Sequence, residues 1–470
     1  MEVVELEALV GNYAQLVDTV KKQKPAGAVA QEDIKKQLDP KQHAVTDQTK
    51  RLNKTKQTKD AAGNPVTGTV EVSRIPIPLQ KKIVKLAAAF LTANPIKLSS
   101  QPVDQTQIDL MKVLDKTWDA NKLFYKTMTL AQLMMGETEC AELWYTQQLQ
   151  PNENYWMGTA NEGKASFKLR MRILANSLGD TLYPVFDAAG DMIAFGRGYF
   201  VTVGDKQVEH FDLYTPTQIY KGEKAGDAWV TTPEPNVVGK IPIIYYKQPL
   251  PEWYDVQEMI ERLETVISNN ADTNDYFGSP IVFVEGEVAG FADKGESGKV
   301  LVGKSGGKAY YLTWDNAPEA IKLEIDTLKY FIHSMTDTPD ISFETMKGLG
   351  TYSGIALKML FLGAHLKAAE KEGIFGEGIQ RRINYLLAAL GKINITFDPV
   401  ANMTVTPIFE YYLPKNEQEI IDLLIDAAGP GTSIMSQKTA IRQNPLVEDP
   451  EAEMTLMEEE GKLGSDIQTA

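Results

Sequence analysis

Cysteine is almost absent from this sequence: Cys140 is the only one among 470 residues. A single cysteine excludes a disulfide within the chain and fits a reducing compartment. Long apolar runs are also missing. The best one, around residues 86–91, is far shorter than the roughly 20 residues that a membrane-spanning helix needs. The first residues, MEVVELEALVGNYAQLV, lack the charged and apolar segments of a signal peptide. We therefore expect a soluble cytosolic protein with no membrane anchor of its own.

Basic residues are fewer than acidic residues in this sequence. Lysine and arginine number 48 against 63 aspartates and glutamates, which gives a formal charge of −15. Proteins that hold nucleic acid tightly usually present a basic surface, so any contact of this chain with nucleic acid must be local or weak. The remaining composition, 43% hydrophobic and 24% charged, is that of a folded soluble protein. The length suggests roughly two to four domains.

Recognisable catalytic patterns are lacking as well. The histidines are scattered and none has metal-ligand spacing; they are His43, His210, His333 and His365. Ser353 lies in GTYSG, which does not match the G-x-S-x-G turn of serine hydrolases. Asp337, Asp340 and Glu344 form a loose acidic group that we interpret as loop and capping residues. We identify no active site, no metal site and no cofactor.

One motif does match a catalytic pattern. GKVLVGKS, from Gly298 to Ser305, fits the phosphate-binding loop G-x-x-x-x-G-K-[ST] of NTPases. Such a loop needs an apolar strand before it and a helix starting at its Lys-Ser pair. Here the preceding GFADKGES is polar, and the following GGKAYY predicts a turn and a strand. We interpret the match as accidental, with strands at 299–302 and 309–313 joined by a turn at 304–307.

Apolar periodicity predicts the elements of the first half. Helical spacing covers residues 4–20 and 79–93, and two more helical patterns lie within 106–147. From 165 to 250, alternating segments and turns predict a mostly antiparallel sheet. Residues 25–72 are polar, and we expect either a solvated or mobile arm or an arm that contacts phosphates. Its basic residues are Lys50, Arg51, Lys54, Lys56 and Lys59.

Two helical rods flank a small module of different composition. The first rod, residues 254–276, would be roughly 35 Å long. The second, 316–335, has Asp315 or Asn316 as its N-cap. Between them, PIVFVEGEV and AYYLTW flank a stretch rich in glycine and lysine, which predicts a β-rich module carried on two helices.

The last third begins with a long helical pattern, from 353 to about 390. Gly373, Gly376 and Gly378 predict a kink in its middle. Strands are expected at NITFDP and MTVTPIFEYY, followed by short helices at 416–427 and 436–443. The chain ends in an acidic segment, EDPEAEMTLMEEEGKL.

The order of these elements resembles a tailed-bacteriophage portal protein of the family with a clip domain inserted between two stem helices. The resemblance runs from about residue 70 to about 460, and residues 25–60 show no family pattern. Its most specific part is DTPDISFETMKGLGTYSGIALKMLFLGAHLKAAEKE at 337–372, similar to a stem end, a tunnel loop and a tunnel helix. The segments RIPIPLQKKIVKLAAAFLTANPIKL, GKIPIIYYKQPLPEWYDVQEMIERLETVISNNADTNDYFGSPIVFV, FEYYLPKNEQEIIDLL and NPLVEDPEAEMTLMEEE are also similar.

The resemblance implies an α+β portal fold with an α-helical stem, a mixed α/β wing, a small β-rich clip and a helical crown. The implied divisions are the wing at 1–250, with 25–72 as a possible mobile arm, stem helix 1 at 251–277, the clip at 278–315, stem helix 2 at 316–338, the tunnel loop at 339–352, the tunnel helix and return to the wing at 353–412, and the crown at 413–470.

It also implies a function. Family members form rings, usually of twelve subunits, that replace one capsid vertex and let double-stranded DNA enter during packaging and leave on infection. The implied partners are the terminase large subunit, major capsid and scaffolding proteins and a head–tail adaptor, with assembly in the host cytoplasm and a final place in the virion. No membrane, cofactor or enzymatic activity is implied.

Two residue groups follow from the resemblance. The tunnel loop would line the DNA path through Met346, Lys347, Gly348, Leu349, Gly350 and Thr351. The clip would face the terminase through Lys294, Lys299, Lys304 and Lys308. The competing interpretations are an NTPase that uses Gly298 to Ser305, and another oligomeric capsid or neck protein without a DNA channel.

Overall fold

The computed structural model describes residues 3–59, 63–277, 281–285, 288–290, 302–303, 308–312, 317–342, 359–411, 417–428, 434–447 and 449–467. The chain divides into two compact units. The first comprises residues 1–338 and 367–410, and the second comprises 339–366 and 411–470. Helices and strands are both abundant, as the α+β class requires.

The helices are α1 (Val3–Ala8), α2 (Tyr13–Gln23), α3 (Gln31–Leu38), α4 (Leu79–Thr92), α5 (Gln105–Ala120), α6 (Leu123–Glu137), α7 (Gln257–Phe277), α8 (Ala317–Met335), α9 (Leu362–Ile393), α10 (Glu417–Ala428), α11 (Gln437–Gln443) and α12 (Pro450–Ile467). The strands are β1 (Lys54–Lys59), β2 (Pro65–Val70), β3 (Lys97–Ser100), β4 (Glu139–Gln148), β5 (Phe167–Leu174), β6 (Asp180–Phe186), β7 (Met192–Val203), β8 (Lys206–Tyr214), β9 (Gln218–Ala225), β10 (Ala228–Pro235), β11 (Ile243–Lys247), β12 (Ile281–Glu285), β13 (Val288–Gly290), β14 (Val302–Gly303), β15 (Lys308–Leu312) and β16 (Val405–Ile408).

Two antiparallel sheets organise the first unit. The larger has the strand order β10-β9-β8-β7-β6, and α2 packs on one of its faces through a core that includes Leu16, Val20 and Phe211. The approach is close, because a Cβ at Gly222 would lie 2.3 Å from the Tyr13 ring. The Tyr13 hydroxyl donates a hydrogen bond to the Phe211 carbonyl at 2.7 Å. The smaller sheet has the order β11-β4-β5.

The second unit contains α10, α11 and α12. Ser436 is the N-cap of helix α11, and its side chain accepts a hydrogen bond from the Thr439 N–H. Arg442 of α11 forms an ion pair with Glu451 of α12 at 2.7 Å. The sequence predicted α10 and α11 within one residue of their observed bounds.

Most predicted elements are confirmed, but two segments adopt a secondary structure that differs from the predicted one. The helical pattern within 106–147 ends at Glu137, and Glu139–Gln148 is strand β4. NITFDP was expected to be a strand, but Ile395–Val400 is a 3-10 helix. The Asn394 side chain starts it by accepting a hydrogen bond from the Thr396 N–H.

The arm expected at 25–72 is only partly solvated. Ile34 and Val45 are buried at 1% and 6% exposure, and His43 is buried beside α7. By contrast, strands β1 and β2 form an exposed antiparallel hairpin. The prediction of a solvated arm is therefore wrong for residues 31–47, which pack against the rest of the first unit.

The module between α7 and α8 is a β-ribbon whose pairing differs from the predicted one. Strand β12 pairs with β15, so that Ile281 lies opposite Leu312, and β13 pairs with β14. The described parts of the predicted strands, residue 302 and residues 309–312, are strands, but they pair with β13 and with the apolar run IVFVE of β12 and not with each other. Three residues beyond Ser305 the chain is strand β15, where a phosphate-binding loop requires a helix.

Candidate functional site: the paired helices and their anchors

Helices α7 and α8 lie side by side and carry the ribbon at their far ends. An exposed ion pair joins them, between Arg262 of α7 and Glu324 of α8 at 2.7 Å. Such a surface pair stabilises by at most about 1 kcal/mol. The buried side chains of Ile260, Leu263 and Ile332 hold the helix bases more strongly, because each contributes roughly 1.5–3 kcal/mol on burial.

An extended segment, residues 73–77, is bonded along one face of α7. The N–H groups of alternate residues donate to side chains four residues apart on the helix: Ser73 to Asp272 at 2.6 Å, Ile75 to Ser268 at 3.0 Å and Ile77 to Glu264 at 2.7 Å. The spacings match, because two extended residues rise roughly 6.6 Å and four helical residues rise roughly 6.0 Å.

We call segment 73–77 and its hydrogen bonds to α7 the anchor. Its shape also depends on prolines. Pro76 lies between Ile75 and Ile77, and Pro78 follows Ile77, so neither of these two positions presents a backbone N–H. The proline ring also holds the backbone in an extended conformation. The two prolines therefore leave fewer backbone N–H groups that could pair with another strand.

A buried histidine ends the anchor near the middle of α7. His43 Nδ1 lies 2.6 Å from Glu264 Oε1, and His43 Nε2 lies 2.9 Å from the Gln37 carbonyl. Both ring nitrogens therefore lie within hydrogen-bond distance of an oxygen atom, and a doubly protonated ring donates to both. Burial alone lowers the pKa of His43, but the hydrogen bond and charge of Glu264 outweigh it, so the pKa is raised.

An arginine pair closes the other end of the anchor. Arg51 donates to the Ser73 carbonyl at 2.9 Å, to Asn269 at 2.8 Å and to Asp272 at 2.9 Å. Arg74 donates to the Arg51 carbonyl at 2.7 Å. Burial works against the Asp272 carboxylate, but the Ser73 hydrogen bonds and the charges of Lys54 and Arg51 prevail and lower the pKa of Asp272.

One carboxylate joins the bases of both helices to α9. Glu252, just before α7, pairs with Lys367 at 2.6 Å and Lys371 at 2.8 Å, both on α9. Lys367 also donates to the carbonyl of Thr336, the residue after α8, at 2.7 Å. Burial would raise the pKa of Glu252, but the two lysines lower it. A displacement of α9 would therefore strain both helix bases.

A second buried pair fastens α9 to the smaller sheet. Arg382 of α9 and Glu142 of β4 are fully buried and hydrogen-bonded at 2.5 Å. Tyr246 and Trp144 also donate to the Glu142 carboxylate, and Arg382 donates to Thr127. Removing one partner of such a pair costs about 3–5 kcal/mol, because the other charge stays buried alone.

Of the residues that the sequence analysis expected to contact DNA or the terminase, the structure describes only Lys308. It begins β15, is exposed and lies opposite Glu285 of β12. The others lie outside the described residues: Lys294, Lys299, Lys304, Met346, Lys347, Gly348, Leu349, Gly350 and Thr351. Their expected roles therefore stay predictions.

The sequence analysis missed the anchor residues. A usable signal was present, because Glu264, Ser268 and Asp272 repeat every fourth position on α7, and RIPIP alternates prolines with residues that retain an N–H. In the described part of the chain, no group of three or more histidine, cysteine, aspartate or glutamate side chains could hold a metal ion. None of the helices described there is both long and apolar enough to cross a membrane.

Known proteins share this sequence pattern. The family model described as "Phage portal protein, SPP1 Gp6-like" matches residues 69–464. The portal protein of Bacillus phage SPP1 is 25% identical over 304 residues, which are 59% of this chain and 59% of the relative. A solved structure titled "Neck of empty GTA particle computed with C6 symmetry" covers 78% of this chain and 90% of that chain, at 12% identity and a TM-score of 0.42. Because the family model spans well over half of the sequence, the chain belongs to the SPP1 Gp6-like phage portal proteins.

Proposed function

We propose that this chain forms the ring-shaped channel at one capsid vertex, through which double-stranded DNA is packaged and later ejected. The observation that carries the proposal is the family match over residues 69–464. The ring would contain twelve copies. It would bind the terminase large subunit, the head–tail adaptor, and the major capsid and scaffolding proteins, and it would assemble in the host cytoplasm before entering the virion.

The parts of the protomer would divide this work. We assign residues 1–250 to the wing, 251–277 and 316–338 to the stem, 278–315 to the clip, 339–352 to the tunnel loop, 353–412 to the tunnel helix and its return to the wing, and 413–470 to the crown. The anchors support the stem assignment. They fix both helix bases to the first unit, as the wall of a channel under load requires.

The charge of the chain suits passage of DNA. At −15 per copy, most surfaces of a ring would repel the phosphate backbone. Lysine contacts with phosphate are strengthened at low salt and screened at physiological salt. A channel with few cations would therefore guide DNA without holding it.

The tunnel loop is the proposed place of closest approach to DNA. Lys347 is the only cation in ISFETMKGLGTY, so each copy would add one positive charge to a ring there. The test is Lys347→Cys with Cys140→Ser, assembled into procapsids and treated with a bulky thiol reagent. We expect labelling to block packaging, while unlabelled particles package normally. Complete labelling with undiminished packaging would remove the loop from the DNA path.

The clip is the proposed docking site of the terminase, through Lys294, Lys299, Lys304 and Lys308. Deleting residues 286–308 should leave the protomer folded and able to assemble, because the anchors of α7 lie at 43–77 and 264–272. Terminase retention on immobilised rings should then be lost. Equal retention by the deleted and full-length chains would contradict this assignment. Rings of unchanged size are the control for folding.

A further inference from the structure

The β1–β2 hairpin, residues 54–70, is an uncovered ribbon. Residues 54–57 and 63–70 are all exposed except Gly68, which is half-buried. A two-stranded hairpin without a packing partner is marginally stable at best in water. The family match begins at residue 69, so nearly all of the hairpin lies outside it. The exposed surface of the hairpin is therefore a candidate for contact with another molecule.

The base of the hairpin is fixed to α7. Arg51 holds Asn269 and Asp272, Arg74 holds the Asn53 side chain at 2.7 Å, and Lys54 lies 3.6 Å from Asp272. A preorganised arm loses less conformational freedom on binding than a free one. The hairpin thus has the form of an arm that is held at its base and presented to a partner.

One face of the hairpin combines cations with apolar groups. Residues directly opposite each other in an antiparallel pair share a face. Lys54 lies opposite Val70, and Lys56 lies opposite Gly68. Val66, two residues before Gly68 on β2, points to the same face. Val66 and Val70 are 44% and 43% exposed. A partner for this face must offer acidic groups among apolar ones.

Helix α8 presents such a surface. Leu323 and Tyr330 are 69% and 67% exposed, although Ile332 on the opposite side of the helix is fully buried. Glu319 and Asp326 are also exposed. The positions 319, 323, 326 and 330 follow the i, i+4, i+7, i+11 spacing of one helix face. We call these four residues the α8 stripe; it alternates acidic and large apolar side chains.

We propose that the β1–β2 hairpin of one protomer packs on the α8 stripe of a neighbouring copy. Lys56 would meet Glu319 and Asp326, while the valines would cover Leu323 and Tyr330. The inference rests on the proposed ring, in which contacts are head-to-tail and two different surfaces of each protomer must match. Segment 73–77 occupies the 264–268–272 face of α7, and α8 packs on another face, where Arg262 pairs with Glu324.

The test uses cross-linking between chains that each carry one new cysteine. Lys56→Cys and Leu323→Cys chains of different length are co-assembled and treated with a short bismaleimide. Only a contact between different protomers can then give a covalent heterodimer. The native Cys140 does not interfere, because it is buried and burial raises the pKa of its thiol. The matched control replaces Leu323→Cys by Lys112→Cys, an exposed position on α5.

We expect the heterodimer with Lys56→Cys and Leu323→Cys, and none with the Lys112→Cys control. Rings that assemble normally without the cross-link would overturn this inference and leave the portal function standing. Failure of the wild-type chain to form rings would instead contradict the proposed function. If no cross-link forms and Lys54→Ala with Lys56→Ala weakens binding of a DNA duplex, the hairpin is a DNA contact, and the inference is also overturned.

Discussion

His43 and Glu264 are 221 residues apart in sequence and both are buried. The histidine lies between a carboxylate and a carbonyl, and the same carboxylate oxygen accepts the Ile77 N–H. Single residues thus link α3, segment 73–77 and α7. The charges in this part of the molecule act by holding backbone in place, and none of them is arranged as a nucleophile with its base.

Protonation of His43 should make the free energy of unfolding depend on pH. Because folding raises the pKa of His43 above its usual 6.5, its stabilising effect is complete below that value and is lost as pH rises through the folded pKa. Within that window the free energy of unfolding should fall by up to about 1.4 kcal/mol per pH unit. Urea unfolding of the wild type and of Glu264→Gln, measured from pH 6 upward, checks this.

The Glu264→Gln variant keeps an acceptor but removes the charge that favours protonated His43. Its unfolding free energy should therefore lack this slope, while all other titrating groups are common to both proteins. Identical slopes in the two proteins would show that the buried pair does not bind a proton on folding.

Among the elements, α9 shows why a helix retains glycine. The sequence predicted a kink at Gly373, Gly376 and Gly378, and one uninterrupted helix contains all three positions. At Gly378 a Cβ would lie 2.1 Å from a ring carbon of Tyr246. The glycine thus permits the close approach of α9 to the smaller sheet, where Arg382 reaches Glu142.

Two matched substitutions in α9 separate packing from helix propensity. Gly378→Ala should destabilise the protein by about 1–3 kcal/mol, because the Tyr246 ring has to move. Gly373→Ala meets nothing within 4 Å and should instead stabilise by about 0.5–1 kcal/mol. Thermal or urea unfolding of both variants measures the difference. A Gly378→Ala protein as stable as Gly373→Ala would contradict the packing role.

Sequence reasoning found the elements whose apolar residues are periodic, including α4, α7, α8 and the strands between 165 and 250. It failed at β4, because Glu139 to Trp144 are all buried and the strand shows no alternation there. It also failed at 395–400, where the Asn394 cap turns a strand-like pattern into a 3-10 helix. The ribbon register depended on which apolar run reaches β15, and local turn chemistry does not determine that.

The candidate site was only partly predictable for a similar reason. The two rods and their β-module follow from local patterns. The pairs that anchor them, such as Glu252 with Lys367 and Glu142 with Arg382, join residues more than 100 positions apart. A single sequence contains no local signal for such partners. The repeat of Glu264, Ser268 and Asp272 was visible, but its meaning required segment 73–77 to lie beside α7.

At the scale of the whole molecule, the exposed surfaces of the protomer and the fixed bases of α7 and α8 support the proposal that the chain works as a ring and not as a single copy. Helix α8 exposes Leu323 and Tyr330, and residues 54–57 and 63–70 of the β1–β2 hairpin are exposed apart from the half-buried Gly68. The helix bases are joined to α9 through Glu252, so a force on the stem would be transmitted into the first unit. In the proposed ring, each of these features would lie in or beside a contact between neighbouring copies.

Electron microscopy of the purified full-length chain tests the central claim most directly. The account predicts closed rings whose central channel admits a DNA duplex, with residues 346–351 at the narrowest point and the α8 stripe covered by a neighbouring copy. Single protomers, open arcs, or closed rings whose channel is blocked by ordered protein would contradict the claim that this chain conducts DNA.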